Sequence, residues 1–182
     1  MAGPRLHITG ASGCGVSSLG TRLAEALQVP QLDTDDFYWQ RTDPPFTDKN
    51  PIPERIRLLS AAMGAGGWVI SGALEGWGTA LIEEADLVVF LTLPRSQRLA
   101  RLIRRERRLH GARIDPGGDM ARIHSAFLDW AAQYDDPGFT GRSRARHEAW
   151  LMDLSVPVLR LDAGASLDEL VQAVLGEVAS AG

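Results

Sequence analysis

The sequence contains one cysteine and one lysine, and it has no long apolar run. With Cys14 as its only cysteine, the chain cannot form an intrachain disulfide, which suits a reducing compartment. The longest apolar stretch spans residues 87–93, which is enough for a strand and far too short to cross a bilayer. The first residues also lack the basic and then apolar pattern of a signal peptide. We therefore expect a cytoplasmic protein with no membrane partner.

The charge of the chain is acidic overall but uneven. A net charge of −4 excludes a general attraction for nucleic acid. Lys49 is the only lysine against eighteen arginines, and eight of these arginines lie in residues 95–113, where Glu106 is the only acid. This basic segment is either a local anion site or a solvated helix face.

Predicted strands and helices alternate along the chain. Strands are expected at residues 6–9, 31–33, 68–71, 86–93 and 157–161, and helices at residues 17–27, 54–63, 94–109, 120–134, 142–152 and 167–178. This alternation predicts an α/β fold with a five-stranded parallel sheet and helices on both faces. Neither repeats nor a linker divide residues 1–182, so we expect a single domain.

A glycine-rich segment joins the first predicted strand to the first predicted helix. Its sequence, Gly10-Ala-Ser-Gly-Cys-Gly-Val-Ser, fits the phosphate-loop frame G-x-x-x-x-G-K-[ST], except that Val16 takes the place of the lysine. Glycines let backbone N–H groups converge on phosphate oxygens, and the N-terminus of the next helix favours the same anion. The candidate phosphate-binding residues are Gly10, Ser12, Gly13, Cys14, Gly15, Val16, Ser17 and Ser18. A plain glycine-rich turn is the alternative.

Three side chains of the loop bear on metal binding and on charge. The hydroxyl of Ser17 would ligate Mg²⁺, and that of Ser18 would reach a phosphate oxygen. Val16 removes a positive charge from the terminal phosphates, although the backbone donors remain. We therefore expect nucleotide binding to survive and turnover to weaken unless an arginine supplies the charge. Together with the alternating elements, the loop predicts the three-layer P-loop NTPase fold.

A second signature, Leu32-Asp-Thr-Asp, ends the second predicted strand. The run from Gly10 through Leu19-Gly-Thr-Arg-Leu-Ala-Glu-Ala-Leu to Leu32-Asp-Thr-Asp resembles the opening of shikimate-kinase-like and gluconate-kinase-like enzymes, including the spacing from the loop to Asp-x-Asp. The rest of the chain is similar in outline to adenylate kinase and to the P-loop kinases called topology-modulation proteins. The resemblance implies that residues 37–67 bind a substrate and that residues 111–141 form a lid-like segment.

The resemblance also implies roles for the acidic residues. Asp33 would hold Mg²⁺ through water, and Asp35 would bind the acceptor hydroxyl and orient or deprotonate it, with Asp36 as a spare candidate. Two carboxylates two residues apart on an extended segment point to opposite sides, which suits two separate roles. An exposed acidic turn after the strand is the alternative.

Arginines follow the fourth predicted strand and the lid-like segment. The resemblance to adenylate kinases implies that Arg101 covers the adenine face and that Arg105 contacts phosphates. Arg142, Arg144 and Arg146 resemble the arginines that clamp the transferring phosphate, and one of them could replace the missing lysine in a closed, nucleotide-bound form. The alternative for any one of these arginines is a solvated basic face.

Aromatic residues are concentrated in and near the expected substrate segment. An acceptor pocket could be built from Phe37, Tyr38, Trp39 and Trp77. Trp68, in the third predicted strand, is expected to be part of the core.

Together these features predict an ATP-dependent phosphotransferase that acts on a small hydroxyl- or phosphate-bearing molecule. ATP and Mg²⁺ are the expected cofactors, and ATP is preferred to GTP by the resemblance alone. The expected partners are a nucleoside triphosphate and an unidentified small acceptor, and a homodimer is left open. The alternative is a nucleotide-binding regulator or sensor with little or no turnover.

Overall fold

The computed structural model describes residues 3–181 and has a central sheet of five strands. The strands are β1 (Arg5–Gly10), β2 (Gln31–Asp33), β3 (Trp68–Ser71), β4 (Leu87–Thr92) and β5 (Val158–Asp162). Every pairing is parallel, and the order across the sheet is β2-β3-β1-β4-β5. The predicted five-stranded parallel sheet is confirmed, and β1 lies at its centre.

Helices connect the strands at nearly the predicted places. They are α1 (Val16–Leu27), α2 (Asp35–Tyr38), α3 (Ile52–Met63), α4 (Arg95–His110), α5 (Ala121–Ala132), α6 (Arg144–Met152) and α7 (Leu167–Ala181). The short helix α2 lies where the sequence predicts none. Three 3-10 turns, at Thr79–Ile82, Gly111–Ile114 and Gln133–Asp135, were not predicted either.

Apolar side chains leave the sheet on both of its faces. On β4, Val89 and Leu91 pack into a core with α1 and α7, whereas Val88 and Phe90 pack into a second core with α3 and α6. This alternation follows from the two-residue period of a strand, and it explains why β4 is apolar throughout. Helices therefore cover both faces, as predicted. No helix among residues 3–181 combines the length and the apolar character that a bilayer span requires.

The carboxyl ends of three neighbouring strands meet at one edge of the sheet. β1 ends at Gly10, β2 at Asp33 and β3 at Ser71, and the register pairs Asp33 with Ser71. In open parallel sheets this edge is where ligands bind. The chain therefore brings the glycine-rich loop and the Asp-x-Asp signature to the same place.

Candidate active site

The glycine-rich loop is packed closely against β4 and α4. A Cβ at Gly10 would lie 2.6 Å from the carbonyl oxygen of Leu91, and one at Gly13 would lie 2.5 Å from that of Arg98. Gly13 and Gly15 have φ angles of 89° and 91°, which side-chain-bearing residues rarely adopt. Helix α1 begins directly after Gly15, and no side chain caps its first N–H groups. These donors remain available to an anion at the loop.

Val16 and Cys14 contribute no charge to the loop. The partly buried side chain of Val16 packs against the core on the α1 and α7 face of the sheet. Cys14 is buried, and this burial raises the pKa of its thiol to about 11. The thiol is therefore protonated at neutral pH, and only the backbone of Cys14 is suited to bind phosphate.

Ser17 and Asp33 meet directly beside the loop. The Ser17 hydroxyl donates a hydrogen bond to Oδ2 of Asp33 at 2.7 Å, and the other carboxylate oxygen accepts the backbone N–H of Asp35 at 3.0 Å. A hydroxyl and a carboxylate fit the needs of Mg²⁺, which takes few protein ligands and completes its shell with water and phosphate. Residues 3–181 contain no group of three or more His, Cys, Asp or Glu side chains arranged to hold a metal. Ser18, the next residue of α1, is exposed.

The expectation that Asp35 lies on an extended segment is wrong. Asp35 opens helix α2, because the chain turns immediately after β2. Asp35 therefore owes its separation from Asp33 to a helical turn and not to the alternation of a strand. Its carboxylate is open to solvent but lies in a concave part of the surface, where desolvation and the charge of Asp33 raise its pKa above the usual value. Arg142 and Arg105 oppose this shift.

The arginines of α4 have different environments. Arg98 is fully buried, and its Nη2 binds Asp135 at 2.6 Å, so its role is structural. Arg101 donates from Nη2 to the carbonyl oxygen of Ala163 at 3.0 Å, and its Nη1 would lie 4.0 Å from a Cβ at Gly15. Arg105 is half exposed and pairs with Glu106 at 2.8 Å. Arg101 is therefore beside the loop, whereas Arg105 is held by an acid.

The arginines that follow the lid-like segment also differ. Arg142 donates from Nη2 to the Ser12 hydroxyl at 2.9 Å, so it already touches the loop. Arg144 pairs with Asp135 at 2.9 Å, and Arg146 pairs with Glu75 at 2.9 Å. The structure thus places only the first of these arginines against the loop.

A buried chain of hydrogen bonds that sequence reasoning missed ties the loop strand to the lid-like segment. His147 Nε2 lies 2.9 Å from the hydroxyl of Thr9, and its Nδ1 lies 3.1 Å from the hydroxyl of Tyr134. Burial, with the charge of Arg142 as a smaller cause, lowers the pKa of His147 to about 3. No sequence spacing pointed to this contact, because its members lie 138 and 13 residues apart.

The expected substrate segment borders two depressions on the surface. A depression of about 270 Å³ runs from Asp35 past Trp39 to Phe46, and one of about 580 Å³ adjoins it at Trp39. The rings of Trp39 and Phe46 meet edge to face, with centroids 5.9 Å apart. Trp39 therefore lines the candidate acceptor site, whereas Trp68 is buried in the core, as expected.

Three further aromatic residues lie behind this surface. Phe37 lines the larger depression and packs on the α3 core. Tyr38 lies under the guanidinium of Arg55, which is 3.8 Å from the ring centroid, and Trp77 donates from its indole nitrogen to the carbonyl oxygen of Ala73. These residues support the depression and are engaged by protein groups.

The protein has the P-loop kinase fold. A gluconokinase from Sinorhizobium meliloti 1021 superposes with a TM-score of 0.51 and 18% identity, over 97% of this chain and 92% of that one. A shikimate kinase from Bacteroides thetaiotaomicron superposes with a TM-score of 0.58 and 14% identity, over 97% and 99%. An uncharacterized protein from Eubacterium ventriosum ATCC 27560 gives a TM-score of 0.52 at 10% identity, over 97% and 98%. At these identities the likeness concerns the fold alone.

A sequence relative assigns the chain to a family. It is 44% identical over 176 residues to the uncharacterized protein YqaC of Bacillus subtilis (strain 168), which covers 96% of this chain and 97% of that protein. The chain therefore belongs to the family of YqaC. No protein-family model matches the chain.

Proposed function

We propose that this protein transfers a phosphoryl group from ATP to a small acceptor bearing a hydroxyl or a phosphate. The observation that carries the proposal is the 2.7 Å contact between Ser17 and Asp33 beside the glycine-rich loop. A hydroxyl on the first turn of a helix and a nearby carboxylate are suited to Mg²⁺ at a bound triphosphate. The proposal is supported further by the position of Asp35, two residues beyond Asp33 and beside the aromatic depression.

The proposed division of labour follows the positions of the groups. The backbone N–H groups of the loop and of the first turn of α1 would bind the phosphates, and Ser17 and Asp33 would hold Mg²⁺. When bound, Mg²⁺ neutralises the charge that develops on the phosphate oxygens. Asp35 orients the acceptor hydroxyl and accepts its proton, and a raised pKa suits a general base.

The acceptor is proposed to lie in the depression that Asp35, Trp39 and Phe46 line. Aromatic rings offer a flat apolar surface, and this depression also contains the polar side chains of Gln40 and Arg41. An acceptor with both an apolar face and hydroxyl groups would match these lining residues.

A screen for ATP consumption tests the proposed function. The wild type is incubated with ATP, Mg²⁺ and a library of metabolites and nucleosides, and ADP formation is measured. We expect acceptor-dependent consumption that Asp35→Asn lowers by about a hundredfold, the usual scale for a positioned base. A wild type that binds no ATP at any accessible concentration would contradict the proposal.

A nucleotide-binding regulator is the second candidate, and Val16 is the observation that favours it. A loop without lysine keeps its backbone donors but loses a cation at the terminal phosphates. Tight binding of ATP with no consumption across the whole library would support the regulator over the enzyme.

A further inference from the structure

Because the loop lacks the usual lysine, its own side chains offer no positive charge to the terminal phosphates of a nucleotide. Where the frame requires a cation, Val16 places an apolar side chain that packs on the core. The terminal phosphates of a nucleotide concentrate negative charge, and a water-poor site requires a nearby cation to offset it. Lys49 lies in the substrate segment, where its ammonium is 5.6 Å from the Tyr38 ring, so the replacement has to be an arginine.

Most of the arginines around the loop are already neutralised by acids. Arg98 and Arg144 bind Asp135, Arg105 binds Glu106, and Arg146 binds Glu75. An arginine bound to a carboxylate loses part of its attraction for a second anion, because the pair must first be separated. Two guanidinium groups beside the loop, those of Arg101 and Arg142, form no ion pair with the carboxylates of residues 3–181.

Arg142 is the better placed of these two arginines. Its Nη2 donates to the Ser12 hydroxyl at 2.9 Å, and its guanidinium lies 5.1 Å from the centroid of the Trp130 ring. Its Nε is buried without a hydrogen-bond partner among the described residues. Arg101, by contrast, donates to the carbonyl oxygen of Ala163. The carboxylates of Asp35 and Glu75 act on the charge of Arg142 without forming an ion pair with it. A buried guanidinium nitrogen without a partner is costly, so the arrangement of Arg142 favours an anion at the loop.

The base of α6 holds Arg142 in this position. Ser143 caps the helix by accepting the backbone N–H of Arg146, and His147, one turn further on, binds Thr9 of β1. Thr9 directly precedes Gly10, the first residue of the loop. α6 and the loop are therefore tied to the same strand, and Arg142, just before α6, contacts Ser12 of the loop.

We propose that Arg142 takes the electrostatic role of the absent loop lysine and binds the terminal phosphates of the nucleotide. The inference rests on the proposed function, because it takes a nucleoside triphosphate as the ligand of the loop. Of the three arginines that follow the lid-like segment, the inference gives this role to Arg142 alone. Arg146 and Arg144 are left to their acids, Glu75 and Asp135.

The test is a cycle of four proteins, namely the wild type, Arg142→Ala, Val16→Lys and the double variant. Calorimetry measures the dissociation constants of ATP·Mg²⁺ and of inorganic tripolyphosphate. We expect Arg142→Ala to weaken both ligands about ten- to a hundredfold, as loss of a charge-assisted hydrogen bond does. Val16→Lys alone should change affinity less than about threefold, and in the double variant it should restore most of the loss. The stem of a lysine can lie where Val16 packs while its ammonium reaches the loop.

The cycle shows whether Arg142 and the lysine of Val16→Lys fill the same role in phosphate binding or contribute to affinity independently. Arg142→Ala with wild-type affinity would overturn the inference, and so would a Val16→Lys gain of equal size in both backgrounds. Arg122→Ala is the matched control, because Arg122 is exposed on α5, eight residues and about 12 Å of helix before Trp130. Affinity should not change in that variant.

If Arg142→Ala does not fold, a second pair of variants tests the same inference. Arg142→Lys keeps the charge and should lose less than about fivefold in affinity, whereas Arg142→Gln should fall as far as alanine. Equal affinities for these two variants would contradict the inference.

The failure of the inference can be distinguished from the failure of the proposed function. Acceptor-dependent turnover unchanged in Arg142→Ala overturns the inference alone, whereas an affinity loss in a protein without turnover overturns the function alone. A wild type that binds neither ligand overturns both.

Discussion

The proposed nucleotide side of the site is packed tightly, whereas the proposed acceptor side is open. On the nucleotide side, the loop between β1 and α1 leaves no room for a Cβ at Gly13, where the Arg98 carbonyl oxygen would be 2.5 Å away. On the acceptor side, residues 39–51 contain no helix and are joined by a single isolated bridge between Trp39 and Lys49. Phe46 is 43% exposed there and has a φ angle of 65°, which is uncommon for a side-chain-bearing residue.

This contrast suggests that one side of the site is suited to a group common to many ligands, whereas the other is suited to one particular acceptor. Any nucleoside triphosphate presents the same phosphates, so the loop can be rigid and its geometry can be carried by backbone atoms. The acceptor differs from one kinase to another, so its recognition depends on side chains in a segment that packs less tightly. Substitutions on the two sides should therefore fail in different ways.

The largest effect is expected from Gly15→Val. A Cβ at Gly15 would meet little besides Arg101, so Gly15→Val strains the backbone at a φ angle of 91° but adds no clash like that at Gly13, and in the proposed function this backbone binds the phosphates. We expect ATP affinity to fall more than about a hundredfold, equivalent to the loss of two charge-assisted hydrogen bonds. Isothermal calorimetry with ATP·Mg²⁺ measures it.

Gly13→Ala is the companion variant, because its Cβ would meet the backbone of Arg98. Here we expect the free energy of unfolding to fall by about 3 kcal/mol, from the strained φ angle and the clash together. Urea denaturation of both variants distinguishes the two glycines. If both lost affinity but not stability, the close packing of the loop would be irrelevant to the fold.

The second effect concerns Asp35, where the two sides meet. Asp35→Asn should lower turnover about a hundredfold while ATP affinity changes only a few-fold, because the proposed partner of Asp35 is the acceptor. The native pKa of Asp35 is raised, so ionising it at neutral pH lowers stability, and the stability present below the unfolded pKa is lost as pH rises through the folded one. Asp35→Asn should therefore melt at a higher temperature than the wild type at pH 7, and the difference should shrink as the pH falls towards the unfolded pKa.

Asp33→Asn is the control for Asp35→Asn. Asp33 binds the Ser17 hydroxyl, so its variant should raise the Mg²⁺ concentration needed for half-maximal turnover, an effect that Asp35→Asn should not have. Equal and mild effects of the two substitutions would favour an exposed acidic turn with no role in transfer.

A smaller effect is expected on the acceptor side from Trp39→Ala. The Trp39 ring borders both depressions, so its loss should raise the KM for the acceptor about tenfold and leave the ATP affinity unchanged. Steady-state kinetics at saturating ATP measure it, with Met152→Ala as control, because Met152 is 75% exposed on α6. A change in ATP affinity of the same size would mean that the two sides are not separate.

The sequence indicates the proposed nucleotide side more directly than the proposed acceptor side. The loop and the Asp-x-Asp signature are local, so their residue types and their place at strand ends are visible in the chain. The strand order and the contact of Arg142 with Ser12, 130 residues apart, depend on long-range packing that no local pattern encodes. Helix α2 was missed because four residues are too few for a periodic pattern.

The smallest effect concerns His7, which lies in β1 beneath the nucleotide side. It is fully buried, and neither ring nitrogen has a hydrogen-bond partner at ordinary bonding geometry among residues 3–181. Burial lowers its pKa from 6.5 to about 4, and a weaker interaction with the backbone of Ile70 acts in the opposite direction. The unfolded chain therefore binds a proton that the native chain does not, so stability is present above pH 6.5 and is lost as the pH falls towards 4.

His7→Leu removes this dependence of stability on pH, and it also removes two unpaired polar atoms. Because the variant lacks this protonation, its stability relative to the wild type should be greater at pH 6 than at pH 8, by about 1 kcal/mol. Urea denaturation at the two pH values measures this, and His147 remains in both proteins as an internal constant. If the two stability curves ran parallel between pH 8 and pH 6, His7 would be protonated in the native core. The tight packing beneath the loop would then admit a charge, and the contrast with the open acceptor side would lose its physical basis.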